Sequence, residues 1–271
     1  MNSAIMNARM YAVTPAVEAV WRSLLERITA EAGVSFEYVP YPAPQPLEAL
    51  WARPDIGCVL MCGYPVALQL ATVVPLAAPI PRAAWAAGRP VYRSDLIVRE
   101  DAPYRTLEDT FGGRAGWTVE HSHSGFNAFR HHLLRYRTAS RPALYGEMVP
   151  NLVTARAILD SVREGRIDIG PLDAYWHLLI AKHNPALTAG VRILEFTDVA
   201  TLPAFVTAAS TPAVTVDALR NAFASASRHP WFRECADALL IEGFAAVDTP
   251  DYARTLEWDR SAKVAGYACP A

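Results

Sequence analysis

The sequence predicts an α/β protein with largely parallel sheets. Short apolar runs alternate with helical periodicities along almost the whole chain. One run, Ile56–Met61, is apolar throughout, the pattern of a strand covered on both faces. At 271 residues, 52% of them hydrophobic, the chain can build one large or two medium cores.

The elements follow in order. Arg9–Val13 reads as a first strand. Thr14-Pro15 supplies an N-cap and a proline at the first helical position. Val17, Val20, Trp21, Leu24, Leu25 and Ile28 then recur at helical spacing until Gly33. Val34–Val39 is a second strand, the proline-rich YPAPQP a loop, and Leu47–Trp51 a short helix. Ile56–Met61 runs into Cys62-Gly63-Tyr64-Pro65, a turn opening another helix. Prolines 75, 79 and 81 break up the apolar tract that follows. Pro90–Val98 is a strand with a polar middle, and Thr106–Thr110 a short helix. Arg114–Val119 is a strand, and Ala143–Glu147 another. Asn151–Glu164 is a helix stopped by Gly165. Strand Ile167–Gly170 precedes helix Leu172–Lys182. Strands Val191–Phe196 and Ala204–Ala208 come next. Helices Thr215–Ser227, Trp231–Glu242 (with Gly243 as its stop) and Asp251–Trp258 end the chain. There is no internal repeat.

In parallel sheets, ligands bind beyond the C-terminal ends of the strands. The strand exits suited to a ligand are at Tyr11, Cys62–Pro65, His121–Gly125 and Gly170–Asp173. The most informative is Trp117–Leu134, WTVEHSHSGFNAFRHHLL. A short apolar strand, a polar turn and a helix start succeed one another there. A helix start presents N–H groups without intrahelical acceptors, at the positive end of the helix dipole, and so favours anions. Ser122 and Ser124 add hydroxyl donors, and Gly125 lets a ligand approach the backbone. The alternative is an ordinary cap, with Ser124 closing the helix.

Composition excludes several classes. A net charge of −2 gives no electrostatic footprint for nucleic acid. Lys182 and Lys263 are the lysines, so a Schiff-base enzyme has few candidates. Cys58, Cys62, Cys235 and Cys269 form no C-x-x-C pair and read as free or buried thiols. The N-terminus has no basic start followed by an apolar run and is not a secretory signal as written, which reads as cytoplasmic unless a signal was removed. No clean span of about 20 apolar residues exists, so a membrane-embedded chain is not expected. His121, His123, His131 and His132 invite a zinc reading. The first two point to opposite sides if extended, and the last two face different directions on a helix. A single histidine aimed at an anion fits better than a metal site. No cofactor is expected.

Together the motifs resemble the phosphonate-type solute-binding proteins of ABC transporters. The similarity runs from about residue 8 to residue 257. PVYRSDLIVREDAPYRTLEDTFGGRAGWTV is similar to the family's tyrosine-bearing strand and its L-x-D-L-x-G lead-in. Ser122-His123-Ser124-Gly125 stands where the family has Ser-Thr-Ser-Gly. Gly165–Asp173 resembles G-x-V-D-V-G-A-x-D, Pro203–Val206 resembles P-x-F-V, and Gly243-Phe244 resembles a late G-F. Met10-Tyr11 and Cys62–Pro65 are similar to a signal-less branch.

The resemblance implies a periplasmic binding protein type II fold: two α/β lobes with mostly parallel mixed sheets, joined by two crossing strands, with the ligand cleft between. Residues 1–95 and 199–271 would form the first lobe and 96–198 the second, with hinges near Ser94–Val98 and Phe196–Ala200. It also implies that Ser122, His123 and Ser124, with the N–H groups of Ser124 and Gly125, take the oxyanion. Tyr92 would donate its hydroxyl. Asp173 would receive a ligand amine or acidic proton. Tyr11 and Tyr64 would wall the first lobe, and Glu147 matches an acidic position on the second. The family's later Ser-His falls at Thr154-Ala155, so its histidine is absent, and His123 or His121 would stand in. The implied function is capture of a small anion (phosphonate, phosphate or a related oxyanion) for an ABC permease, by a monomer or weak dimer. The alternatives are a cytoplasmic sensor or orphan binding protein, and an enzyme on the same scaffold resembling the pyrimidine-precursor synthases.

Overall fold

The computed structural model describes residues 4–271. The first three residues, which enter the reading of the N-terminus, lie outside the described residues. The chain divides into two compact units. One comprises the chain up to Tyr92 together with Thr201–Ala253, the other Arg93–Ala200 together with Arg254–Ala271.

The first unit is built on a six-stranded sheet. Its strand order is Ile241–Ala246, Val73–Pro81, Ala204–Ala208, Ile56–Met61, Ile5–Asn7, Glu37–Tyr38. The last three strands run parallel. Ala204–Ala208, which follows the passage of the chain from the second unit, is antiparallel to both neighbours. The helix Pro15–Glu31 forms as its sequence predicts. Thr14 Oγ1 accepts from the Val17 N–H at 3.2 Å, and Val17, Trp21, Leu24, Leu25 and Ile28 are buried. Trp21 meets Phe205, and Phe205, Phe223 and Phe244 pack ring to ring at 4.9–6.2 Å. Such pairs add roughly 0.5–1.5 kcal/mol each beyond burial.

Several strands differ from expectation. The first is Ile5–Asn7; Arg9–Tyr11 is instead a 3-10 turn, because the Asn7 side chain accepts from the Arg9 N–H and ends the strand. The tract with three prolines is the nine-residue strand Val73–Pro81. The register shifts opposite Pro75 and Pro81, and such irregularities are where a sheet tolerates proline. Ile241–Ala246 is a strand, not the end of a helix. Leu240, at φ 53°, stops the preceding helix in the left-handed conformation where a glycine had been expected.

In the second unit, Ser94–Arg99 lies between Val191–Phe196 and Gly170–Asp173, antiparallel to both. Arg114–Gly116 pairs in parallel with Glu147–Val149 and bridges to Ile169. The core gathers Leu96, Val98, Leu107, Ala115, Phe129, Leu133 and Ile169. Asp168 is structural: its carboxylate accepts from the Arg114 backbone at 2.7 Å and from its guanidinium.

The C-terminal helix Ala253–Val264 begins at the passage from the first unit and packs in the second from Arg254 onward, apart from the 199–271 block expected from the sequence. Asn127 Nδ2 donates to the Thr255 carbonyl, Arg130 pairs with Asp259, and Tyr267 enters the core. No helix among the described residues is long and apolar enough to cross a membrane.

Candidate serine turn at the end of a short strand

The chain leaves the strand Arg114–Gly116 through Trp117–Val119, turns at Glu120–Ser122, and enters a π-helical turn, His123–Asn127, continued by the α-helix Ala128–Leu133. The wide turn shows in its bonds: the Asn127 N–H donates to the Ser122 carbonyl and the Ala128 N–H to that of His123. Single π turns in helices recur at functional sites.

The cap is Ser122, not Ser124. Ser122 is extended (φ −77°, ψ 130°), and its Oγ accepts the Gly125 N–H at 3.0 Å. That bond takes up one of the amides expected to face a ligand. It also leaves the Ser122 O–H to donate elsewhere. Gly125 is required by close packing. A Cβ there would lie 2.0 Å from Thr118 Oγ1 and 2.9 Å from Ser122 Oγ. The Thr118 N–H also donates to the Gly125 carbonyl, so the helix start is tied to the strand exit.

Ser124 is 9% exposed, and its Oγ lies 3.4 Å from Asp173 Oδ2. Asp173 has two functions. Its Oδ1 accepts from the N–H groups of Tyr175 and Trp176 as the cap of the helix Ala174–His183, while Oδ2 faces Ser124.

His123 departs from the expectation of a histidine aimed at an anion. It is 2% exposed, and its ring stacks on Trp258 at 5.1 Å. Nδ1 lies 3.4 Å from Asn127 Nδ2. Burial, then the nearby His131 and Arg254, push its pKa down from 6.5 to about 3. The ring is therefore neutral and brings no positive charge to the turn. His131 stacks on Trp258 as well, and burial lowers its pKa also. His121 is half-buried in the preceding turn. Among the described residues, no group of three or more His, Cys, Asp or Glu side chains is placed to hold a metal.

Glu147 is exposed and registers with Arg114, at the entry end of the strand whose exit bears the serines. The structure does not bring it to them. Tyr11, Tyr64 and Tyr92 belong to the first unit and are at most 4% exposed. Tyr92 Oη lies 3.8 Å from Cys62 Sγ. The Tyr11 carbonyl accepts from Trp21 Nε1, and Tyr64 lies in the first turn of the helix Gly63–Ala67. Gly63 is fixed by Tyr252, whose ring a Cβ would meet at 2.0 Å.

Sequence reasoning missed Ser94 and Trp258. Ser94 is fully buried and donates its hydroxyl to the Ser124 carbonyl at 2.8 Å. The signal was a polar residue inside an apolar strand.

Residues 12–252 match the family model described as ABC transporter, phosphonate, periplasmic substrate-binding protein. No curated protein matches the chain. Among solved structures, it is similar to a binding-protein component of a phosphonate ABC transporter from Pseudomonas aeruginosa, with 13% identity and a TM-score of 0.78 over 98% of this chain and 88% of that one. PhnD1 from Prochlorococcus marinus, solved with methylphosphonate, gives 14% identity and a TM-score of 0.77 over 96% and 98%. A Xanthomonas citri protein bound to ATP gives 16% and 0.67 over 98% of each chain. At these identities the likeness shows the fold, that of type II periplasmic binding proteins.

Proposed function

This chain belongs to the family of phosphonate ABC-transporter substrate-binding proteins, and from that premise we propose that its Ser122–Gly125 turn, with Asp173, is where it takes a phosphonate- or phosphate-class anion. The observation that carries this reading is a helix start bearing two serine hydroxyls, Ser122 as its cap and Ser124 bonded to the buried carboxylate of Asp173. The Ser122 hydroxyl accepts the Gly125 amide, which leaves its proton able to rotate toward an oxyanion. Ser124 adds a first-turn N–H, at the positive end of the helix, and a second hydroxyl that exchanges its bond to Asp173 Oδ2 for one to the anion.

Asp173 sets which form of the ligand is taken. Two like unit charges about 4 Å apart repel by about 4 kcal/mol at an effective dielectric of about 20. A dianion carries one unit charge more than the singly protonated ligand, so against Asp173 it is disfavoured relative to that form by about this amount. A ligand that brings its own proton, or an ammonium group, turns the repulsion into a hydrogen bond. The anion is held by neutral donors, with His123 serving as a wall behind the turn. The chain binds and releases its ligand unchanged, acting as the capture component for an ABC-type permease and not as an enzyme.

A thermal-shift panel of methylphosphonate, inorganic phosphate, sulfate and carboxylates tests this. Stabilisation that grows as ligand exceeds its dissociation constant is expected for the first two, with the ligand recovered intact. Stabilisation by sulfate or carboxylates alone, or turnover of any hit, would contradict it.

A further inference from the structure

We infer that Ser94 is a positioning residue for ligand capture, acting through the peptide group that joins Ser124 to Gly125. The inference rests on the ligand role proposed for Ser124. Ser94 is fully buried, and all its polar groups are engaged. Its N–H donates to Thr197 Oγ1 at 2.9 Å, its carbonyl accepts from the Thr197 N–H at 3.0 Å, and its hydroxyl donates to the Ser124 carbonyl at 2.8 Å. In the sheet it registers with Asp173. One residue thus touches both halves of the serine–carboxylate pair.

The Ser124–Gly125 peptide is held at both ends. Ser94 holds its C=O and Ser122 its N–H. A peptide group is planar, so fixing both ends fixes the plane and restricts the backbone rotation that would swing the Ser124 side chain away. Preorganising a binding group in this way removes part of the ordering cost of association.

The position of Ser94 along the chain adds a second consequence. Ser94 follows Arg93, where the chain enters the second unit, and Thr197 precedes Ala200, where it leaves. Both entering and leaving segments are therefore hydrogen-bonded to each other at the residue that holds the ligand turn. A serine is required for this. Alanine has no donor, and a larger polar side chain has no room at a fully buried site.

The test is calorimetric titration of the whole protein with methylphosphonate and with inorganic phosphate. It compares the parent, Ser94→Ala, Ser124→Ala and the double variant, with thermal midpoints for each. Ser94→Ala is expected to weaken binding about tenfold while shifting the midpoint by only a few degrees. In the Ser124→Ala background its effect is expected to fall below about twofold, because the two act as one unit. Without ligand, the Gly125 amide nitrogen signal moves in Ser94→Ala, reporting the lost bond to the Ser124 carbonyl. Ser94→Cys, nearly isosteric and a weak donor, replaces Ser94→Ala should the latter not fold.

Undiminished affinity in both Ser94 variants, or equal losses in the two backgrounds, overturns the inference while leaving the proposed site standing. A parent that binds neither probe overturns the site and the inference with it.

Discussion

Replacing His123 with phenylalanine isolates the cost of burying a histidine at the back of the serine turn. In the folded chain its pKa is lowered to about 3, first by burial and then by His131 and Arg254. The unfolded value is about 6.5. With the folded value the lower of the two, the unfolded chain takes up the proton first. This contribution to stability is complete above about pH 6.5 and is lost as pH falls toward about 3, at roughly 1.4 kcal/mol per unit. By about pH 4.5 the loss amounts to about 2–3 kcal/mol, a large share of the 5–15 kcal/mol typical of folded proteins. Phenylalanine keeps a ring against Trp258 but cannot protonate. His131 remains in both proteins, so the difference between them isolates residue 123. Urea unfolding from about pH 7 down to about pH 4.5 is expected to show the parent losing stability faster than the variant by close to one proton's worth of slope. A ring NMR titration should show His123 neutral across that range. Parallel slopes, or a ring that titrates near its ordinary value, would refute the placement of His123 in the core.

Four further outcomes follow from the same geometry. Ser124→Ala is expected to weaken methylphosphonate binding by roughly 10- to 100-fold, the loss of one hydrogen bond to a charged group, with the fold intact by circular dichroism. Asp173→Asn is expected to flatten the pH dependence of binding. The parent should bind more weakly as pH rises through the second ionisation of the phosphonate, and the asparagine variant should not, as calorimetry at several pH values would show. Gly125→Ala puts a methyl 2.0 Å from Thr118 Oγ1 and is expected to cost about 1–3 kcal/mol in urea unfolding, partly recovered by a second change, Thr118→Ala. Arg130→Met removes the guanidinium that bonds Asn127 Oδ1, the Ala268 carbonyl and buried Asp259. Asp259 keeps its ion pair with Lys263, so a loss of about 1.5–3 kcal/mol is expected, measured the same way.

The sequence reveals most where local rules and packing agree. Thr14-Pro15 and the apolar spacing after it specify the helix Pro15–Glu31, and the unbroken apolar run at Ile56–Met61 specifies a doubly covered strand. The strand Val73–Pro81 was hidden because two of its prolines, Pro75 and Pro81, are accommodated by register shifts that only the neighbouring strands supply. The strand Ile241–Ala246 was hidden because a leucine, not a glycine, takes the left-handed position before it. At the serine turn the order of strand, polar turn and helix was legible. The orientation of His123 was not. Its ring follows Trp258, 135 positions further along the chain. Ser94 was visible as a polar residue in an apolar strand, but its acceptor, the Ser124 carbonyl, is set by tertiary structure alone.

The most direct measurement is a titration of isotopically labelled protein with methylphosphonate, followed through its backbone amide signals. Saturation at one ligand per chain is expected, with the largest shifts at Ser122, His123, Ser124 and Gly125 and a companion shift at Asp173. Saturable binding that leaves those amides in place would contradict the account, and so would an unchanged spectrum with both methylphosphonate and phosphate.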